Sequence, residues 1–596
     1  MITQMKKYTF LVFHRDYETF LEQLRNLGVV HITEKAEGQA DDEHLQILLQ
    51  KADQLKKTIA QGAPDQLLQE KANIEQRIAA TRKEAERMAV WGDFSAERIA
   101  ELRQAGYELR YFVCPTKQFE QEWGIAVTEQ GSHTYFVQVS KMGGEALPEL
   151  PDFCHEQVLN EKSSADLQKD VEGLHGLLVA QNARIELWAK ENIPALQQEL
   201  KDIRQQIDWQ RVKLSTDTIA DGSLKLLEGF CPIDKEKELN QLLEQQGVYY
   251  QEEDPTEEDK TPIKLHNNWF ARLFEPLTGM YGWPSYQEFD PTPILGPFFL
   301  LFFSLCIGDA GYGLALILVG FLIYKDKLKI DMFKGMGPII MALGVGSTIV
   351  GYLMGGFFGI NLFQAEWFPA WAKAPMFNNL GEGMTGKITM AGQEYDVMMV
   401  LAIVIGVFHI CLAMTVKAIS YTIRNGFKNT LSVWGWLILV VGGIATGILA
   451  MLKVLSPAAT QIVLIVIGAV SALGIFVFNT WGRNPLINIG SGLWDTYQMV
   501  TGLLGDVLSY IRLYALGLAG GMLGMAFNQL GEMVLGTTPN VGTWIGFILI
   551  ITFGHVLNLL MACLGAFVHP LRLSFVEYFK NAGYEGQGIL YQPFKK

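Results

Sequence analysis

The sequence predicts cytoplasmic α+β lobes on a long antiparallel coiled coil, followed by an all-α polytopic membrane domain of about eight transmembrane helices, the last two long and tilted. Three observations carry this. Charge-rich sequence gives way near residue 292 to long apolar runs that fill 294–580. Two polar helical stretches in the first half share a leucine rhythm of three and four. The apolar runs reach or exceed the roughly 20 residues that a helix needs to cross a bilayer.

Averaged over the chain, 49% of residues are hydrophobic and the formal charge is −14, so the division lies in the order of residues and not in the composition. The acidic balance argues against nucleic acid as a partner. The six cysteines, Cys114, Cys154, Cys231, Cys306, Cys411 and Cys563, are scattered without a CxxC pair. That pattern fits a reduced protein without disulfides, metal or cofactor. "MITQMKKYTFLVFHRDYETF" has no continuous apolar core and no small-residue cleavage site, so it does not read as a signal peptide. The N-terminal half, 1–292, is therefore expected in the cytoplasm and the translocation domain at 293–596.

"MKKYTFLVFHRDYETFLEQLRNLGVVHITE" reads as strand, helix, strand, with Gly28 as helix cap. "LKLLEGFCPIDKEKELNQLLEQQGVYY" repeats the order. The two pieces, 1–38 and 216–260, are expected to form one near lobe. Between them, helices at 42–90 (Leu48, Ala52, Leu55, Ile59) and 163–215 (Leu167, Val171, Leu174, Leu178, then Leu196, Leu200, Ile203, Ile207) predict the rod, with a compact bundle as the alternative. A rod of some fifty residues spans roughly 70 Å. The mixed segment 92–150 forms the lobe at its far end. No catalytic pocket is evident in this half.

The clear membrane spans are 335–359, 397–420, 433–453, 458–479, 494–532 and 543–580. "ILGPFFLLFFSLCIGDAGYGLALILVGFLIY", 294–324, is one long helix or two short ones broken at Gly308–Gly313. Positive charge decides between these: Lys325, Lys327, Lys329 and Lys334 belong on the cytoplasmic side. An even number of crossings must therefore precede them, which gives eight spans, or six and a re-entrant hairpin. The same parity places Lys417, Arg424, Lys428, Arg483 and the C-terminus inside and the loop 361–396 outside. Within that loop "GEGMTGKIT", 381–389, nearly spells a phosphate-binding loop. Ile388 stands where Ser or Thr should hold magnesium, so no nucleotide site is expected on this chain.

The last two spans carry the chemistry. Near forty residues each, they run about 55–60 Å, almost twice the hydrocarbon thickness. On the first, Asp506, Ser509 and Arg512 recur every three residues, and Gly517, Gly520, Gly521 and Gly524 favour close helix approach. On the second, His555, Asn558, Ala562, Gly565, His569 and Arg572 form one polar and small stripe, with Pro570 as a kink. Arg512 stays charged at any working pH and suits a permanent barrier or counter-ion on an ion path. The plainer reading pairs it with Asp506 to hold the bundle. His555 and His569 suit proton relay or packing, and Arg572 an ion path or snorkelling to headgroups.

These residues resemble the membrane stator subunit of V-type and archaeal-type rotary ATPases, called subunit I in prokaryotes and subunit a in eukaryotes. The resemblance runs through "FLEQLRNLGVVHITE", "FEPLTGMYGWPSYQEFDPTPILGPFFLLFFSLCIGDAGYG", "GDVLSYIRLYALGLA" and "HPLRLSFVEYFKNAGYEGQGILYQPF". It implies that Arg512 is the stator arginine and that His569 and Arg572 match the family's second arginine motif. It implies two ion half-channels against a proteolipid c-ring and a rod docked on peripheral stalk E/G-type subunits. The central stalk and catalytic head would be indirect partners, and the ion H+ or Na+. Gln498, Gly520 and Pro570 depart from the eukaryotic pattern at positions lining the path. A stand-alone ion transporter or channel, and a non-transporting scaffold, are the alternatives from other classes.

Overall fold

A computed structural model describes residues 2–595 apart from 34–41, 93, 142–149, 160–161, 220–222, 257–258, 326, 328–334, 363–364, 367, 374–386, 391–392, 480–483 and 537–538. The protein is mostly helical, with α/β structure toward its N-terminus and six helices long and apolar enough to cross a membrane. It divides into two compact units, Thr33–Asp217 and the remainder, Met1–Ile32 with Thr218–Lys595.

In the larger unit, strand Met5–Phe13 lies between Leu224–Pro232 and Tyr249–Glu253, antiparallel to both. His31–Ile32 adds to the outer edge of Leu224–Pro232. Alternation drives the pairing: Tyr8, Phe10 and Val12 are buried on one face, where Phe10 meets Phe20 of helix Tyr17–Leu27, whose Leu21 and Leu24 are also buried. The C-terminal tail returns to this sheet. Ile589–Leu590 pairs with Pro262–Ile263, Tyr591 donates its hydroxyl to Val29 O (2.5 Å), and Phe594 N bonds Val30 O (2.8 Å).

In the smaller unit the helix expected over 42–90 is two helices, Glu43–Gln61 and Asp65–Ala89. The correction has a local cause. Gly62 is left-handed (φ 73°) and caps the first helix, and Pro64, in extended geometry, caps the second. Both run antiparallel to the 51-residue helix Ser164–Leu214. Leu45, Leu48 and Ala52 pack on Leu200, Ile203 and Ile207, and Ala85 and Met88 on Leu167. Midway, Gln181 donates to Leu67 O and the Glu70 carboxylate (3.1 and 2.9 Å). Beyond them the strands run in the order 125–130, 133–141, 107–115, 155–157. Trp91 meets Tyr111 and Tyr135 edge-on.

The six long apolar helices are Gly337–Met354, Val397–Asn425, Phe427–Met451, Pro457–Val477, Leu486–Leu535 and Val541–Ala582. Thr292–Ile307 and Ala310–Tyr324 are shorter. Of the phosphate-loop look-alike, 381–386 lies outside the described residues, and Lys387–Met390 forms a strand paired with Gln393–Asp396. A phosphate-binding lysine would instead open a helix.

Glycines at every seventh position, Gly337, Gly344 and Gly351, let helix Gly337–Met354 lie directly on Ala310–Tyr324. A Cβ at Gly344 would stand 2.8 Å from Ile317 N, and one at Gly351 2.3 Å from Ala310 N. We expect Gly344→Ala to cost about 1–3 kcal/mol through overpacking. Gly443→Ala, where no atom lies within 4 Å, should be tolerated. Thermal unfolding of the detergent-solubilised protein checks both.

Candidate functional site in the membrane helices

The last two long spans are each interrupted where polar residues concentrate. In Leu486–Leu535 the α-helical ladder breaks at Tyr510. Tyr510 N bonds Val507 O and Leu513 N bonds Tyr510 O, both across three residues. The apolar run around Arg512, unbroken in the sequence, is thus two helices, Pro485–Ser509 and Ile511–Leu535. Tyr510 is wholly buried and shares a 2.8 Å hydrogen bond with His409 Nδ1. His409 in turn stacks on Tyr578 (4.5 Å). In the last span a π-helical turn, Leu573–Tyr578, follows Pro570.

These interruptions gather one cluster at the end of the bundle nearer the tail. Asn581 Nδ2 donates to Asp506 Oδ2 (2.8 Å), and Lys580 Nζ lies 3.3 Å from the same carboxylate. Asp506 is thereby engaged by the last span, and among the described residues no ion pair joins it to Arg512. Ser509 Oγ donates to Glu577 Oε1 (2.6 Å), and Asn581 Nδ2 to Glu577 O (2.7 Å). Five buried side-chain atoms here have no hydrogen-bond partner among the described residues: Arg512 Nη1, His569 Nδ1, Ser574 Oγ, Glu577 Oε2 and Tyr578 Oη. The charges of Arg512 and Arg572 both reach His569, and Arg572 itself is exposed.

A second cluster lies at the other end of the same helices. Asp309, 4% exposed, caps helix Ala310–Tyr324 and binds the turn after Gly337–Met354. Its Oδ1 accepts from Gly311, Tyr312 and Phe358 N, and its Oδ2 from Gly359 N. Tyr312 is so held that its hydroxyl meets His555 Nδ1 (2.8 Å) and Asn558 Nδ2 (2.8 Å). His555 Nε2 faces Asn528 Oδ1 (3.1 Å), and Asn558 also donates to Gly520 O.

The sequence-predicted residues therefore fall into two groups. Asp506, Ser509, Arg512, His569 and Arg572 lie toward one end, His555 and Asn558 toward the other. About 24 Å of helix separates Arg512 from Asn528. Glu577, Lys580, Asn581, Tyr510 and His409 were missed at the first site, and Asp309, Tyr312 and Asn528 at the second. For Glu577 the reason is geometric. A π turn inserts one residue per turn, so the spacing by three and four that marks the stripe does not reach it. Val576 is exposed while Glu577 is buried.

The Ser509–Glu577 bond is one measurable link between the two spans. Ser509→Ala should destabilise by about 1–3 kcal/mol, since it strips a buried carboxylate of a donor. Combined with Glu577→Gln, the pair should be non-additive by roughly 1 kcal/mol in thermal unfolding, because the two residues share one hydrogen bond.

The family profile described as the V-type ATPase 116kDa subunit family matches residues 160–438 and 495–596, more than half of the chain. The chain is 33% identical over 353 residues to the A-type ATP synthase subunit I of Methanocaldococcus jannaschii, an alignment covering 57% of this chain and 49% of that protein. It is 26% identical to the V-type ATP synthase subunit I of Borreliella burgdorferi over the whole of both chains. With V-type ATP synthase subunit I 1 of Treponema pallidum the identity is again 26% over the whole of both. With that profile match and those end-to-end alignments, this membrane protein belongs to the V-type ATPase 116kDa subunit family.

Proposed function

We propose that the chain is the non-rotating membrane subunit of a V/A-type rotary ATPase, forming ion half-channels against a proteolipid ring and coupling ion flow to ATP synthesis or hydrolysis. One observation carries this: Arg512 has a buried guanidinium nitrogen without a hydrogen-bond partner among the described residues, while Asp506, the carboxylate six residues earlier, is engaged by Asn581. A charge left so in a bilayer is costly. A carboxylate on another subunit, ionised when it has released its ion, supplies the missing partner. Arg512 then holds the ionised form and opposes direct leakage of a second cation.

The two polar clusters become the half-channels. Asp506, Ser509 and Glu577 line the one on the near-lobe side, with His569 and Arg572 close to its ring end. His555 and Asn558 line the other. Between Asn558 and His569 the last span reads "LLMACLGAFV", which offers an ion no foothold. The ion must leave this chain midway and travel on a carrier, as a turning ring provides. A stand-alone transporter would need a continuous path through that stretch.

We further read Thr292–Ile307 and Ala310–Tyr324 as two crossings, giving eight. Gly346 meets Leu300 and Ser304 and Gly351 meets Asp309, so the first runs parallel to Gly337–Met354. Gly344 meets Gly313 and Gly337 meets Gly320, so the second runs antiparallel. The chain reverses at Gly308, which supports a cytoplasmic N-terminal half and C-terminus. The antiparallel helices of the smaller unit serve as the coiled-coil arm that docks on peripheral stalk subunits of E/G type and resists torque from the head.

The test uses the assembled complex in proteoliposomes. Arg512→Ala should abolish ATP-coupled ion transport while the complex still assembles, and Arg572→Ala should be milder. Normal coupled transport in Arg512→Ala would overturn the assignment. So would ion flux through the purified chain reconstituted alone.

A further inference from the structure

Resting on the reading just given, we propose that His555, set between Tyr312 and Asn528, is the proton-carrying group of the half-channel away from the near lobe, and that Tyr312 and Asn528 are its positioning residues, so that this path admits protons and not sodium.

The hydrogen bonds fix the direction of every donor. Asn528 Nδ2 donates to Phe358 O (2.8 Å), so its Oδ1 is the atom facing His555. An amide oxygen only accepts, so His555 Nε2 carries a hydrogen. In the neutral ring Nδ1 is then the acceptor, and it takes the Tyr312 O–H. Tyr312 oxygen in turn accepts from Asn558 Nδ2. The result is one polarised line from Asn558 through Tyr312 and His555 to Asn528 and Phe358 O.

That line has a second state. A proton arriving at Nδ1 makes both ring nitrogens donors, and Tyr312 oxygen then accepts from Asn558 and His555 together. Its own O–H must swing to a new acceptor. Loss of the proton restores the first arrangement, with no covalent change beyond one N–H made and broken. Tyr312 and Asn528 are what permit this: one tolerates either polarity at Nδ1, and the other pins Nε2.

A sodium ion finds no comparable site. A hard cation must exchange its water for a shell of oxygen ligands, carboxylates foremost. Asp309 is the carboxylate that holds Tyr312, and both its oxygens are committed to backbone N–H groups from Gly311, Tyr312, Phe358 and Gly359; Glu532, one turn beyond Asn528, is exposed. The oxygens of Gly520, Phe358 and Tyr312 already accept amide hydrogens. Among the described residues no group of three or more His, Cys, Asp and Glu could hold a metal ion.

The experiment follows ATP-driven internal acidification and 22Na+ uptake in parallel, in proteoliposomes of the whole complex, after assembly is verified by co-purification of the other subunits. The wild type should acidify without taking up 22Na+. His555→Gln, which keeps the bulk but cannot carry a proton, should lower acidification on the order of tenfold or more. His555→Glu, of nearly the same shape and able to carry one, should recover much of it. Tyr312→Phe removes only a hydroxyl and should also slow acidification, and it carries the test should His555→Gln fail to assemble. Equal loss in His555→Gln and His555→Glu would reduce His555 to a packing role and overturn the proposal. Undiminished acidification in His555→Gln would overturn it too, as would 22Na+ uptake by the wild type. Arg512→Ala in the same assay separates the two levels: if it transports normally the stator reading falls, and if it alone is inactive only the relay falls.

Discussion

A bilayer interior supplies no water, so each polar group carried into it must find its partner in protein. Most of this membrane domain follows from that constraint. Asp309 takes four backbone N–H groups and in doing so closes the turn between two short helices and docks the loop after Gly337–Met354. Tyr510 breaks its helix, but its hydroxyl shares a hydrogen bond with His409 Nδ1. The π turn after Pro570 swings Glu577 inward to Ser509 and Asn581 to Asp506. Among the buried atoms without a hydrogen-bond partner in the described residues, Arg512 Nη1, His569 Nδ1 and Glu577 Oε2 belong to charged or titratable side chains of the last two spans.

The same residues tie the membrane helices to the near lobe. The segment that carries Glu577 and Asn581 continues into Tyr584, whose hydroxyl donates to Gly282 O (2.7 Å), and then into the strand beside Pro262–Ile263. Phe575 and Phe579 pack on Tyr281. The near lobe is closed by strands from both ends of the first half, so a load borne by that lobe reaches the Asp506–Glu577 cluster through a short covalent path. Under the proposed function this is the element that must not yield when the head turns.

Periodicity made the large features legible in the sequence. The apolar runs, the leucine seams and the glycine cap at Gly28 answer to local rules, and the corresponding elements stand in the structure. Breaks were harder. Gly62–Pro64 is a strong stop signal, yet the hydrophobic spacing on both sides hid it. Tyr510 has no breaker residue at all; its kink depends on a long-range bond to His409 and on Gly406, where a Cβ would lie 2.4 Å from the Tyr510 ring. The site was half legible for the same reason. Arg512, Asp506 and the His555–Arg572 stripe obey helical spacing, whereas Glu577 lies past a π turn and Tyr312 and Asn528 come from other helices. No pattern within one segment could join them.

Under the proposed function, the apolar surface of the last span suits a partner that moves. On the last long span Val556, Leu557, Leu560, Met561, Leu564 and Val568 are exposed, while His555, Asn558 and Ala566 turn inward. An interface held by hydrogen bonds has a register, and slipping it by one step leaves donors and acceptors unpaired in hydrocarbon, at a cost that would stall rotation. An apolar face held by dispersion has many nearly equal registers, because a methyl group that leaves one neighbour meets another of similar size. Such a face permits motion but gives it no direction. Direction requires a charge that distinguishes an ionised site from a filled one, and under the proposed function Arg512, whose Nη1 is buried without a hydrogen-bond partner among the described residues, makes that distinction.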